Sequence, residues 1–393
     1  MHPNILMLGW ELPPFNSGGL GEACYGLAKA MSKKGANITF VLPRKLSLKV
    51  DFMNLVFADI GEDYTNIESC YTTAAKVVGK QYVLNTPTNL LAGVLSYSQR
   101  IGRIAMKYPA DIIHSHDWLT FPAAIAAKKL IHKPLVSHIH STEYDRTGGI
   151  YPNPDVYEIE KNGVDFSDKV IPVSNLTRTI LEKFYGVPSS KIEVVYNGVD
   201  KFSVEKLSPV LQGYKKAGYK IVLYLGRITL QKGPEYFVRA ASKVLKHEKK
   251  VLFVVTGSGD MQEAMMNETA NLGIMKNFFY TGFLRGEERD RIFQSADLYV
   301  MPSVSEPFGI TSLEAIANGT PVMISNQSGV SEVLKHALKV DFWDIDEMAN
   351  KIVSVVRYKA LKNDLQNESA KEIRGINWDK AADTCLSIYS SLL

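Results

Sequence analysis

Glu306 and Glu314 stand eight residues apart, on either side of the turn Pro307-Phe308-Gly309 and the apolar run that opens at Ile310. Glutamates so spaced, with a glycine turn and a helix start between them, suit a phosphorylated sugar. Glu306 in the turn could reach a sugar hydroxyl, and backbone N–H groups from Gly309 to Thr311 could hold phosphate at the helix N-terminus. Glu314, one turn into that helix, could accept a ribose hydroxyl. Taken singly, each has a plainer use: Glu314 as a partner of the helix dipole, Glu306 as a surface charge.

A second string is Gly226-Arg227 followed by Lys232-Gly233. Two cations just past a strand, at the sheet edge where ligands gather, could converge on a diphosphate and neutralise the charge that grows as it leaves. They could equally be solvated loop charges. The third string, Asn16-Ser17-Gly18-Gly19-Leu20-Gly21-Glu22, lies between the first strand and a helical pattern. Gly18 and Gly19 would let backbone approach a phosphate at the following helix N-terminus, although a plain tight turn uses the same residues. The paired glycines lack the G-x-G-x-x-G spacing of a dinucleotide fold, which speaks against hydride transfer.

Each string needs a strand to end before it, and the sequence supplies them. Strands are expected at Asn4–Gly9, Ile38–Leu42, Asp111–His116, Leu135–His140, Lys169–Val173 and Ile192–Tyr196. A second series comprises Ile221–Leu225, Val251–Val255, Phe278–Thr281, Leu298–Met301 and Val322–Ser325. Many are apolar on consecutive positions and most are separated by helical patterns, as in parallel sheets covered on both faces. Leu55–Asn85 reads as a hairpin rather than a strand–helix–strand unit. The polar stretch from Asn197 to Lys220, opened by Asn197-Gly198, is the expected domain boundary. Trp378–Leu393 reads as an amphipathic helix that must bury Trp378, Leu386, Ile388 and Tyr389.

The bulk properties agree. A chain of 393 residues, 46% hydrophobic and 22% charged, has material for two α/β domains. A net charge of +4 without basic blocks gives no reason to expect nucleic acid as a partner. Three scattered cysteines, Cys24, Cys70 and Cys385, give neither a disulfide framework nor a zinc pattern and fit a reducing compartment. The N-terminus does not read as a signal peptide, and no stretch approaches the roughly 20 apolar residues of a membrane span. A cytoplasmic protein is expected, touching a membrane at most peripherally.

In their order along the chain these strings resemble the retaining GT-B glycosyltransferases, in particular family 4 and the short archaeal-type glycogen and starch synthases. Further matching elements are Ser115-His116-Asp117-Trp118, His138-Ile139-His140-Ser141, Val173-Ser174-Asn175, Asn197-Gly198-Val199-Asp200 and Thr256-Gly257-Ser258-Gly259. The resemblance implies an α/β GT-B fold of two Rossmann-like domains facing across a deep cleft. Residues 1–197 would be the acceptor side and 198–377 the donor side, with the helix 378–393 crossing back to the first domain.

The same resemblance implies roles. Arg227 and Lys232 would bind the donor diphosphate, Glu306 and the backbone of Phe308 to Thr311 would hold the transferred sugar, and Glu314 would take the ribose. Gly18, Gly19 and Gly257 would lie against the donor, with Phe283 and Leu284 near its base. His140 would line the sugar site near its 6-hydroxyl. UDP-glucose or ADP-glucose is the expected donor, a carbohydrate the expected acceptor (an α-glucan end, or a cell-surface polysaccharide or small glycoside), and no cofactor is required. Such enzymes keep the anomeric configuration without a protein nucleophile. Bacterial glycogen synthases, however, carry a Lys where this chain has Asn16.

His116, Asp117 and Glu143 are the expected acceptor-side residues, with Glu143, Asp145 and Arg146 either reading the acceptor or standing as solvated loop charges. The pairs His114/His116 and His138/His140 could geometrically hold a metal. The resemblance makes these strands a cleft floor and meets phosphate charge with Arg227 and Lys232 instead, so no metal is expected. An isomerase of the same fold would need acid–base carboxylates beside the sugar. A binding protein without turnover would have no reason to keep Arg227, Lys232, Glu306 and Glu314 together.

Overall fold

The computed structural model describes residues 2–16, 18–61, 75–78, 81–84, 88–149, 151–200 and 207–393. Ser17 of the paired-glycine string, Cys70 and Ile150 lie outside them. By its contacts the chain divides into two compact units, Met1–Gly198 with Trp378–Leu393, and Val199–Asn377.

The first unit contains β1 (Asn4–Leu8), β2 (Asn37–Leu42), β3 (Asn54–Phe57), β4 (Ala75–Val78), β5 (Gln81–Leu84), β6 (Ile112–His116), β7 (Leu135–Ile139) and β8 (Lys169–Pro172). Six of these form a parallel sheet in the order β3-β2-β1-β6-β7-β8. Every residue of β6 and β7 is buried, as parallel strands with helices on both faces must be. β4 and β5 pair with each other, antiparallel, within the segment expected to hold a hairpin.

The second unit contains β9 (Lys220–Leu225), β10 (Val251–Thr256), β11 (Phe278–Gly282), β12 (Leu298–Met301), β13 (Val322–Ser325) and β14 (Leu338–Val340). Its parallel sheet runs β11-β10-β9-β12-β13-β14. Each sheet starts at its centre, builds outward to one edge, and then restarts on the other side of the first strand. The reversals fall between β1 and β6 and between β9 and β12. There the loops leaving adjacent strands turn opposite ways and open a crevice at the carboxyl ends. The paired-glycine string leaves β1, the Arg227–Lys232 string leaves β9 and the Glu306 string leaves β12.

Two details depart from expectation. Ile192–Tyr196 forms no strand; it makes one bridge, Val170 to Ile192, and donates from Glu193 and Val195 to the carbonyls of Val170 and Pro172 at 3.0 Å each. A continuing ladder needs an N–H from position 172, and proline has none. β3 and β14 are short edge strands whose weak patterns hid them. In the carboxy-terminal helix Trp378–Ser390, Trp378, Ile388 and Tyr389 are buried but Leu386 only half so. That helix packs on the helix Gly19–Lys33, where Gly26 leaves a flat place: a Cβ there would sit 2.3 Å from the Trp378 ring.

Candidate active site

In the second unit the chain climbs out of β9 through Gly226 and Arg227 and makes a short helical turn, Leu230–Lys232. Gly233 closes that turn at φ 61°, and a Cβ on it would lie 2.2 Å from the Pro302 carbonyl oxygen. Only glycine lets the turn lie this close to the loop leaving β12. Val304 N–H donates to the Gln231 carbonyl at 2.9 Å, locking the two loops together. Lys232 Nζ thereby reaches Glu306 Oε2 at 2.5 Å, and Ser303 Oγ donates to the same oxygen at 3.1 Å. The two residues expected to face diphosphate and sugar are thus direct neighbours, although 74 positions apart.

Glu306 is held from behind by its backbone. Its N–H donates to the Gln327 carbonyl, and its carbonyl accepts from Gly329 N–H, each at 2.9 Å. Phe308 is buried, and Gly309 caps the helix Ile310–Ala317. The Tyr299 hydroxyl lies within hydrogen-bonding distance of both Thr311 Oγ1 (2.9 Å) and the Leu225 carbonyl (3.1 Å), tying this helix start to the end of β9. Glu314 is buried inside the helix, and Arg289 Nη1 meets its Oε1 at 3.1 Å. Arg289 was not expected; in sequence it sits among exposed charges that read as a solvated face. Gly257 N–H donates to the Gly282 carbonyl at 2.9 Å, so the loops after β10 and β11 run side by side. Phe283 and Leu284 follow at the sheet's edge, Phe283 exposed beneath the Arg285 guanidinium.

In the first unit Gly18 precedes the helix Gly19–Lys33 in extended conformation. The helix was expected to offer its first N–H groups to phosphate. One of them, at Gly21, instead donates to the buried Glu11 carboxylate at 3.3 Å. Beside it, at the ends of β6 and β7, four imidazoles form a compact array. His114 Nε2 lies 3.3 Å from His138 Nδ1, and His116 Nδ1 lies 2.9 Å from His140 Nε2. The ring centroids of these pairs are 5.4 and 5.2 Å apart, about what one N···N hydrogen bond plus two ring radii spans, so the rings meet edge to edge. The two pairs then stack, His114 on His116 at 4.4 Å and His138 on His140 at 4.3 Å. Tyr389 of the carboxy-terminal helix bonds His114 Nδ1 through its hydroxyl. Burial keeps the imidazoles neutral: His114 and His140 are pushed down to about 3, and His116 and His138 are lowered too.

Cys24, His116 and His140, and likewise His114, His116 and His138, come close enough to be weighed as metal ligands. Four of the ring nitrogens meet in N···N hydrogen bonds, His114 Nε2 with His138 Nδ1 and His116 Nδ1 with His140 Nε2, while His116 Nε2, His138 Nε2 and His140 Nδ1 are buried without a hydrogen-bond partner.

The expected acceptor-side residues are turned inward. His116 is fully buried, and Asp117 receives the backbone N–H groups of His140 (2.7 Å) and Ser141 (3.3 Å). Glu143 and Asp145 are not solvated charges. Glu143 pairs with Arg146 Nε at 2.9 Å, Asp145 closes a capping box with Thr142, and Arg146 also pairs with buried Glu160. A polar loop following a histidine motif reads as exposed; here one guanidinium between two carboxylates lets it fold inward.

This burial has a pH consequence. Desolvation raises Asp117 to about 7 and Glu160 to about 6, while it lowers the four histidines. Below the ordinary imidazole value of 6.5 the unfolded chain binds histidine protons that the folded unit refuses, so stability falls as pH falls. The two carboxyls act oppositely, since folded they keep protons that the unfolded chain has lost. Four groups outweigh two. The urea midpoint should therefore fall from pH 7 to 5, and Asp117→Asn, which keeps an acceptor oxygen but removes one opposing proton, should steepen the fall. A flat midpoint over that range would contradict the neutral array.

Residues 17–201 match the family described as Glycosyltransferase Family 4, and residues 212–372 the one described as Glycosyl transferases group 1. The chain is 30% identical over 400 residues to an uncharacterized glycosyltransferase of Methanocaldococcus jannaschii, covering 98% of this chain and 97% of the relative. It is 26% identical over 342 residues to glycogen synthase of Mycobacterium tuberculosis, covering 84% and 80%. The crystal structure of HepE from Anabaena, determined in complex with UDP and glucose, superposes with a TM-score of 0.75 at 17% identity, covering 100% of both chains. At that identity the likeness is one of fold.

Proposed function

We propose that this chain, which belongs to the GT-B glycosyltransferases and is a hexosyltransferase, moves a glucosyl group from UDP- or ADP-glucose to a carbohydrate hydroxyl with retention of configuration. The observation that carries this reading is the Lys232–Glu306 pair at the reversal point of the second sheet. A cation and a carboxylate in contact there match the two ends of a sugar diphosphate. Lys232, with Arg227, takes the diphosphate, and Glu306, released from Lys232, accepts hydroxyls of the sugar. The backbone from Phe308 to Thr311 and the helix start add N–H donors. Glu314, oriented by Arg289, takes the ribose, and the backbone near Gly257, Phe283 and Leu284 lies toward the base. For the first unit we carry forward the roles implied by resemblance: His140 at the transferred sugar, Gly18 and Gly19 at phosphate.

In the step itself the bond between the anomeric carbon and the phosphate oxygen breaks, and one to the acceptor oxygen forms on the same face. The acceptor proton passes to the leaving phosphate, whose growing charge Lys232 and Arg227 neutralise. No protein nucleophile, metal or cofactor is required. A soluble cytoplasmic enzyme fits this reading, and among the described residues no helix is long and apolar enough to cross a membrane.

The likeness to glycogen synthase favours the growing end of an α-glucan as acceptor. Incubating the chain with UDP- or ADP-glucose and glycogen, then reading the new linkage by proton NMR, tests this. New α-linked glucose is expected. A β-linkage would overturn retention, and donor turnover indifferent to glycogen would overturn the α-glucan acceptor.

A further inference from the structure

We propose that Cys24, His116 and His140 form a binding site for one zinc ion, a thiolate and two imidazoles that tie the helix Gly19–Lys33 to the carboxyl ends of β6 and β7. All three residues belong to the first unit. The inference does not rest on the transfer reading, in which no metal takes part. The Cys24 sulfur and one nitrogen of each ring lie within 4.8 Å of one another. Zinc–nitrogen and zinc–sulfur bonds of about 2.1 and 2.3 Å put tetrahedral donors roughly 3.3–3.6 Å apart, a difference that side-chain rotation covers. The place is the reversal of the first sheet between β1 and β6, where open α/β sheets hold their ligands. Cys24 comes from the helix that follows β1, His116 from the end of β6 and His140 from just past β7.

The donor chemistry selects the ion. A thiolate with imidazoles suits zinc, whereas magnesium and calcium take oxygen ligands. Cys24, one of three scattered cysteines, supplies the sulfur that the histidine pairs lack. The set His114, His116 and His138 is the poorer one: it has no thiolate, and both His114 nitrogens are engaged, with Tyr389 and His138. In the chosen set each ring has a nitrogen outside any hydrogen bond, His116 Nε2 and His140 Nδ1. That freedom balances the protons. His116 Nδ1 and His140 Nε2 share one proton at 2.9 Å. On binding, each ring offers that inner nitrogen as a lone pair and carries its single proton on the outer one, and the Cys24 thiol proton leaves to solvent. A buried N–H without an acceptor is costly, and the array holds one already, since whichever ring donates leaves the other's proton on its outer nitrogen. Coordination to zinc outweighs one more. Glu11 and Asp117, both buried and close enough to act on the Cys24 sulfur by charge, add countercharge to the thiolate. His140 is half-buried where Cys24 and His116 are fully buried, so the ion enters past His140.

The test strips the full chain with a chelator and then titrates it with zinc, cobalt(II) or magnesium in the absence of any sugar nucleotide. One zinc per chain, counted by elemental mass spectrometry, is expected. Cobalt should give the sulfur-to-metal charge-transfer band of a cysteine ligand beside the intense visible bands of a tetrahedral site. Cys24→Ala should abolish the charge-transfer band and weaken zinc binding by more than roughly 100-fold, beyond what loss of a partner behind the ligands costs. Cys385→Ala, which removes the other buried thiol, should leave both unchanged. Saturating zinc should raise the urea midpoint of the wild-type chain, because the ion binds the folded unit. Cobalt bound without a charge-transfer band, zinc binding that survives Cys24→Ala, or magnesium bound as tightly as zinc overturns the inference. A wild-type chain that binds no zinc overturns it even if Cys24→Ala fails to fold.

Discussion

Lys232→Ala lowers kcat by about 10²- to 10³-fold, the roughly 2.7–4 kcal/mol lost when one preorganised charge partner is taken from a transition state. The reason lies in timing. In the resting site Lys232 already has a partner, Glu306 at 2.5 Å, so part of its charge is met before any donor arrives. In the proposed reaction its larger use comes when the phosphate oxygen gains charge on leaving. An interaction stronger in the transition state than in the ground state appears in kcat more than in KM. Arg227→Ala should follow the same pattern, since the proposed function has the diphosphate spread its charge over both cations. Steady-state nucleotide release checks both variants, and near-wild-type kcat in both would remove the diphosphate assignment. Lys232→Ala carries a second, structural cost: Glu306 is buried and would keep Ser303 as its side-chain partner without the cation.

Trp378→Ala destabilises the first unit by about 3–5 kcal/mol, as truncation of a buried aromatic does. Trp378 is 8% exposed, and its ring lies across the bare backbone of Gly26. The position beneath the ring is a glycine, which has no side chain with which to fill the cavity. The helix behind it then loses its first anchor, and with it the seating of Cys385 and Tyr389, both fully buried. Urea unfolding followed by the first unit's fluorescence should show an earlier midpoint in Trp378→Ala. An unchanged midpoint would mean that the carboxy-terminal helix adds nothing to this unit.

Much of the fold could be read from local chemistry. Leu298–Met301 and Val322–Ser325 appear as strands with the bounds their apolar runs imply, because strands buried on both faces leave an unbroken signal. Ile192–Tyr196, apolar but for Glu193, also reads as a strand and fails, because the missing N–H belongs to Pro172 on its neighbour. The motif strings supplied the candidate residues, since glycine turns and helix starts are local. What they could not show is pairing. That Lys232 touches Glu306, that Arg289 reaches Glu314 and that Glu11 takes a helix N–H all depend on which loops lie side by side. The histidines show the point most clearly. Alternation puts His114 with His116 and His138 with His140, but the register that sets His116 opposite His138 decides which nitrogens meet. Tyr389 enters from the far end of the chain, where no spacing rule could place it.

The most direct test of the central claim is nucleotide release from UDP-, ADP- and GDP-hexoses, with and without glycogen, by the wild-type chain and by Glu306→Ala. Release from UDP- or ADP-glucose, stimulated by glycogen and lost in Glu306→Ala, is the predicted result. No release and no binding with any donor, or release that survives Glu306→Ala unchanged, would contradict it.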